Sequence, residues 1–293
     1  MQAELIADTR CGTGESPVWV ASEQALYWAD IPTGRLWRWQ AGALSHWQGD
    51  EMLACMAHSA DGQAWVAGMQ SGLFQLSAQD DDKLAAHRLA EVAHARAGMR
   101  FNDGRCDRQG RFWAGTMLMD MAAAAPVGKL YRYSAADGLR EMLDGFITPN
   151  GLGFSPDGRT MYLSDSHPTV QAIWAFDYDT DTGTPHNRRL FVDMKPLPGR
   201  PDGAAVDADG CYWICGNDAG LVHRFTPDGR LDRSLPVPVK KPAMCAFGGA
   251  GFDTLFVTSI RPDGIDLSDQ PLAGGVFALH PGVRGLEEPA CRT

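Results

Sequence analysis

The sequence predicts an all-β chain folded as a six-bladed β-propeller, with four-stranded antiparallel blades around a central channel. Two observations lead there. A short phrase occurs six times, a turn containing Asp-Gly or its like, then an aromatic-led apolar strand, then a small or acidic residue: QALYWAD, DGQAWVAG, QGRFWAGT, DGRTMYLSD, DGCYWICG and FDTLFVTS. Its aromatic landmarks, Trp28, Trp65, Trp113, Tyr162, Trp213 and Phe256, follow one another at intervals of 37 to 51 residues, a drifting period near the about 40–50 residues of a four-stranded blade. Each copy is paired with a second segment (GRLWRWQ, SGLFQLS, GKLYRYS, QAIWAFDYD, GLVHRFTPDG or GGVFALH) that alternates with a period of two. Such pairs read as hairpins and not as helical repeats.

The strand before each aromatic one recurs as well, as SPVWV, AHSA, GRCD, GLGFS, GAAVD and CAFGG. It gives each blade a third strand and sets the residue upstream of it at the inner, axial end. Ring closure is expected from the amino-terminal AELIADTR strand beside the carboxy-terminal segment after VFALH, since an open ring leaves two unpaired edges. No Ser-, Pro- or Gly-rich linker divides the copies, so residues 1–293 are expected to form one domain closed by N- and C-terminal strands. The 33 Gly and 18 Pro provide turns, the 44 % hydrophobic content allows a large core, and the nine Trp, mostly in strands, read as packing between blades.

Charge and composition exclude several partners. The formal net charge is −10 and the longest basic run is Lys240-Lys241, so a polyanion is repelled and no nucleic-acid partner is expected. The opening MQAELIADTR lacks a basic start followed by an apolar stretch, and no run of about 18 apolar residues occurs. The expectation is a cytoplasmic protein, monomeric and without a membrane partner. Seven cysteines without a C-x-x-C pair read as reduced thiols. Cys211 and Cys215 are four residues apart on one strand, roughly 13 Å, too far for a disulfide. His58 and His167 stand in no H-E-x-x-H pattern and read as rim or turn residues, and Ser16 has no G-x-S-x-G elbow around it.

Just before the inner strand of several blades stands an acid or amide beside Gly or Pro: GESP around Glu15, RFNDG from Arg100, TPNG around Asn150 and RPDG around Asp202. Singly these are turn residues. Repeated at the axial ends of several blades, Glu15, Asn150 and Asp202 bring two carboxylates and one amide oxygen to one small volume, where the carboxylates repel unless a divalent cation lies between them. All-oxygen ligation suits Ca²⁺, Mg²⁺ or Mn²⁺, with Zn²⁺ and Fe²⁺ as further options, and three protein donors leave positions for water and substrate.

GESPVW, RFNDGRCDRQGRFWAGTM, TPNGLGFSPDGRTMYLSDS, RPDGAAVDADGCYW and LAGGVFAL, in this order and over nearly the whole chain, resemble the family that includes gluconolactonase, regucalcin (senescence marker protein) and luciferin-regenerating enzyme. The resemblance implies a metal-dependent lactonase that opens a sugar (aldono-) lactone to the aldonic acid. It matches Glu15, Asn150 and Asp202 to metal ligands, with Asp202 also as general base, and Arg100 and Asn102 to a substrate-contacting pair. Asp120 falls where relatives carry an acid that binds substrate hydroxyls, but here it stands between Met119 and Met121 and ahead of Ala122 to Ala125. Two alternatives compete: an esterase or phosphotriesterase-like hydrolase, and a calcium-binding propeller without turnover.

Overall fold

Each aromatic landmark lies on the second strand of its blade, covered on both faces: Trp28, Trp113 and Trp213 are fully buried, and Trp65, Tyr162 and Phe256 nearly so. Burying side chains of this size is the main favourable term available to such a ring. Blade junctions are built from them. Tyr27 of the first blade meets Trp65 of the second at 4.7 Å, Tyr162 of the fourth meets Tyr212 of the fifth at 4.9 Å, and Trp19 stacks on Phe256 of the sixth at 5.4 Å.

The computed structural model describes residues 2–292 and is a six-bladed β-propeller of four-stranded antiparallel sheets. In chain order the innermost strands are Gly14–Val20, Leu53–His58, Met99–Cys106, Pro149–Phe154, Arg200–Val206 and Pro242–Gly248. They pack against one another in a closed cycle around the axis. Each blade then runs outward strand by strand. The sixth takes its outermost strand, Glu4–Ala7, from the start of the chain, paired antiparallel to Val276–Leu279. That strand therefore pairs with VFAL itself and not with the segment beyond it.

The segment beyond VFAL crosses the ring at one end. Gly285 bridges to Asp207 of the fifth blade, Cys291 to Ser59 of the second, and Glu288 forms an ion pair with the buried Arg105 of the third. A cavity of about 120 Å³ lies there, walled by Trp19, Ala57, Met244 and Pro289. None of the candidate site residues lines it.

A buried aspartate locks the turn between first and second strands in two blades. Asp207 accepts from the backbone N–H of Asp209 and Cys211 (3.0 and 2.9 Å), from Trp213 Nε1 (2.8 Å) and from Arg224 Nε (2.8 Å). Asp107 does the same for Gln109, Arg111 and Trp113 and also takes the Tyr178 hydroxyl. All seven cysteines are buried and free, and Cys215 shares its apolar cluster with Cys245, not with Cys211.

Candidate functional site

The pairing registers show where the candidate residues sit in their strands. In every innermost strand the register slips near its upstream half, between Glu15 and Val18, Leu53 and Cys55, Phe101 and Gly104, Asn150 and Gly153, Pro201 and Ala204, and Pro242 and Cys245. Such bulges leave residues unpaired and turn their side chains out of the pleat. Glu15, Arg100, Asn102, Asn150 and Asp202 lie inside the innermost strands and not before them. Nor are they strictly equivalent: Glu15 and Asn150 hold the last paired position before the bulge, opposite Ala29 and Ser164, whereas Asp202 and Asn102 fall one residue later, within it.

Local backbone supports this arrangement. Ser16, next to Glu15, has a left-handed φ of 52°, a costly state for a residue with a Cβ. It is held there by its hydroxyl, which accepts the Met56 N–H at 2.9 Å and donates to the Met56 carbonyl at 3.3 Å. The matching position in the fourth blade is Gly151, φ 61°, where a Cβ would lie 2.5 Å from the Tyr212 hydroxyl oxygen and 2.7 Å from Ser164 Oγ. Glycine is required there on both counts.

Glu15, Asn150 and Asp202 are all buried, 7 %, 4 % and 6 % exposed, which matters because two are acids. Burial pushes Glu15 well above the usual carboxylate range, with the charges of Asp202 and Asp103 adding to it. Burial likewise lifts Asp202 to about 7, against the hydrogen bond from Asn217 and the charge of Arg200. The charge of Asp202 thus reaches Glu15, and Arg100 opposes it. Asn150 lies on the innermost strand packed directly against that of Asp202. Its Oδ1 is buried and has no hydrogen-bond partner among the described residues, an expensive condition for an amide oxygen.

These donors fit a hard divalent cation, the cofactor the sequence resemblance implies. An orphaned amide oxygen and two buried, mutually repelling carboxylates are what an oxygen-liganded ion satisfies. Among the described residues no group of three or more His, Cys, Asp or Glu is arranged to hold a metal; the set here has two carboxylates, its third donor being an amide.

Arg100 is half-buried and does not pair with Asp103. Its Nη1 donates to the Phe101 carbonyl at 2.7 Å and to Asn102 Oδ1 at 2.8 Å, while Asn102 Nδ2 donates to the Pro149 carbonyl of the fourth blade at 3.0 Å. Arg100 and Asn102 are therefore one unit, joined to the start of the strand that carries Asn150. Asp120 is exposed, at the head of the short 3-10 turn Met121–Ala123, and its side chain makes no capping bond. That turn is fastened to the segment just before the Asn150 strand, since Thr148 Oγ1 donates to the Met121 sulfur at 3.2 Å, and His167 Nε2 donates to the Met121 carbonyl at 3.1 Å. His167 is buried in the turn after the Thr160–Asp165 strand.

Two residues escaped the sequence. Asn217, at the end of the CYWICGN strand, donates from Nδ2 to Asp202 Oδ2 at 2.5 Å; only the pairing of Arg200 with Asn217 brings it there. Asp103 is buried, takes the Leu152 N–H on Oδ2 at 2.9 Å, and has an unpartnered Oδ1. Its place within RFNDG was the available signal.

Comparison with known proteins places the chain. It is 40 % identical to a 6-deoxy-6-sulfogluconolactonase of Pseudomonas putida over 280 residues, 94 % of each chain. It is 38 % identical to an L-arabinolactonase of Azospirillum brasilense, over 97 % of this chain and 94 % of the other. A solved calcium-binding protein, regucalcin, of Agrobacterium tumefaciens superposes with a TM-score of 0.92 at 27 % identity, over 100 % of this chain and 98 % of the other. The model of the SMP-30/gluconolactonase/LRE-like region matches residues 13–261, and the chain belongs to that family.

Proposed function

We propose that this protein hydrolyses a sugar lactone to the corresponding aldonic acid at the axial end of the ring, with a divalent cation held by Glu15, Asn150 and Asp202. What supports the reading is that two buried carboxylates, one raising the other by its charge, and the orphaned Asn150 Oδ1 all lie on innermost strands, as does the Arg100–Asn102 unit. Two relatives named as sugar lactonases support it.

Water adds to the lactone carbonyl, the ring acyl C–O bond breaks, the alkoxide takes a proton, and one proton is released as the acid ionises. The cation, when bound, supplies a Lewis acid for the carbonyl oxygen and makes water more acidic. Asp202 accepts the proton of the attacking water. Arg100 offers a planar fork of donors and Asn102 both a donor and an acceptor, a set that suits a ring with several hydroxyls and an ester oxygen. Asp120, exposed on the turn above them, accepts from substrate hydroxyls. Asn217 fixes one oxygen of Asp202.

Acid release followed with a pH indicator tests this on pentono- and hexonolactones, an aryl ester and an organophosphate. Lactone kcat/KM is expected to exceed the others by about 100-fold, to vanish after chelation and to return with one divalent cation. Acid release no faster than spontaneous ring opening, or full rate in chelator, contradicts the proposal. The likeness to a solved regucalcin, a calcium-binding protein, favours a second reading, binding without turnover; calcium uptake with no acid release from any lactone is its signature.

A further inference from the structure

We infer that Asn217 is a positioning residue: its amide fixes Asp202 for the cation and water, and is itself held by Arg200 and Lys241. This rests on reading the axial end as a cation site. Asn217 is 2 % exposed, and both ends of its amide are used. Nδ2 donates to Asp202 Oδ2 at 2.5 Å, whereas Oδ1 faces Arg200 Nη2 and Lys241 Nζ, each at 3.5 Å. Turning the amide over would set its NH₂ against two cations and its carbonyl against a carboxylate, so the flanking charges permit one orientation.

The cations are themselves anchored. Arg200 Nε donates to Asp218 Oδ2 at 2.6 Å, Lys241 pairs with Asp218 Oδ1, and Arg200 Nη1 reaches the Ser166 carbonyl of the fourth blade at 3.2 Å. Lys241 adjoins the innermost strand of the sixth blade, so the network ties three consecutive blades together around Asp202. Asp218 holds this place with a left-handed φ of 77°, strain of the kind kept where surroundings over-determine a residue. With Oδ2 committed to Asn217, the other oxygen of Asp202 is left for the cation and water. Groups that orient a metal ligand in this way typically change affinity or activity by about 10–100-fold when removed.

The test is calorimetric titration of Mn²⁺ into the metal-stripped full chain, alongside kcat for lactone opening and the melting temperature without metal. Asn217→Ala is expected to weaken Mn²⁺ binding by about 10–100-fold and lower kcat comparably, while the metal-free melting temperature moves by no more than about 4 °C. Lys241→Ala is expected to weaken binding by roughly 2–5-fold, and Asn217→Ala/Lys241→Ala to bind no more weakly than Asn217→Ala alone, since the lysine acts through the amide. An Asn217→Ala protein that binds Mn²⁺ within about 2-fold of wild type, or additive losses in the double variant, overturns the inference. Should Asn217→Ala fail to fold, an unchanged affinity in Lys241→Ala, whose side chain is 25 % exposed, overturns it as well. A wild-type chain that takes up no divalent cation contradicts the proposed function along with it, whereas normal wild-type binding beside an unaffected variant contradicts this inference alone.

Discussion

Asp202→Asn is expected to lower kcat for lactone opening by about 10²–10⁴-fold, with KM changed by less than about 3-fold and metal stoichiometry retained. The substituted amide keeps an oxygen for the cation and a surface for Asn217 to face, but cannot accept a proton from water. Steady-state kinetics with elemental analysis of the same samples separates the two roles assigned to this residue. Turnover above a tenth of wild type at full metal content would remove Asp202 from proton transfer. Loss of metal together with turnover would show that its charge is indispensable to holding the ion.

The largest expected effect on stability lies away from the site, at Asp207. Asp207→Ala removes the acceptor shared by two backbone N–H groups, the Trp213 indole and Arg224, all at 3.0 Å or less. The aspartate is fully buried and Arg224 is 8 % exposed, so water cannot replace the lost partner. Breaking a buried pair of this kind costs about 3–5 kcal/mol, which for a chain of this size lowers the melting temperature by about 5–8 °C. Arg224 keeps Asp209 and Asp232 at the edge, so the damage is to the turn and the indole. Urea unfolding showing a loss under about 1 kcal/mol would refute the role.

The ring was legible because its second strands are covered on both faces and repeat an aromatic at each blade. The outermost strands were not individually legible. Leu84–Glu91 and Thr184–Asp193 are mostly exposed, so no face of them must be apolar and they leave only the period as a trace. Glu15, Asn150 and Asp202 were visible as acids and amides beside Gly or Pro, and the structure buries all three on innermost strands. The bulges that set Asp202 one residue out of step with Glu15 and Asn150 were not visible, because a register slip is a property of two strands and leaves no composition of its own. Asn217 was hidden for a related reason: it ends an ordinary apolar strand, and only cross-strand pairing with Arg200 carries it to Asp202. Asp107 and Asp207 bind the backbone of their own turns, yet their second task of satisfying buried side-chain donors, which depends on partners up to 71 residues away, left no mark in the sequence.

The central claim is that Glu15, Asn150 and Asp202 share one cation at the axis. Soaking crystals of the protein in Mn²⁺ and collecting anomalous data tests it directly. The expected result is a single strong axial peak within about 2.0–2.6 Å of one oxygen from each of the three side chains. No axial peak at saturating Mn²⁺, or a peak ligated by other residues while Asn150 Oδ1 stays unpartnered, would contradict it.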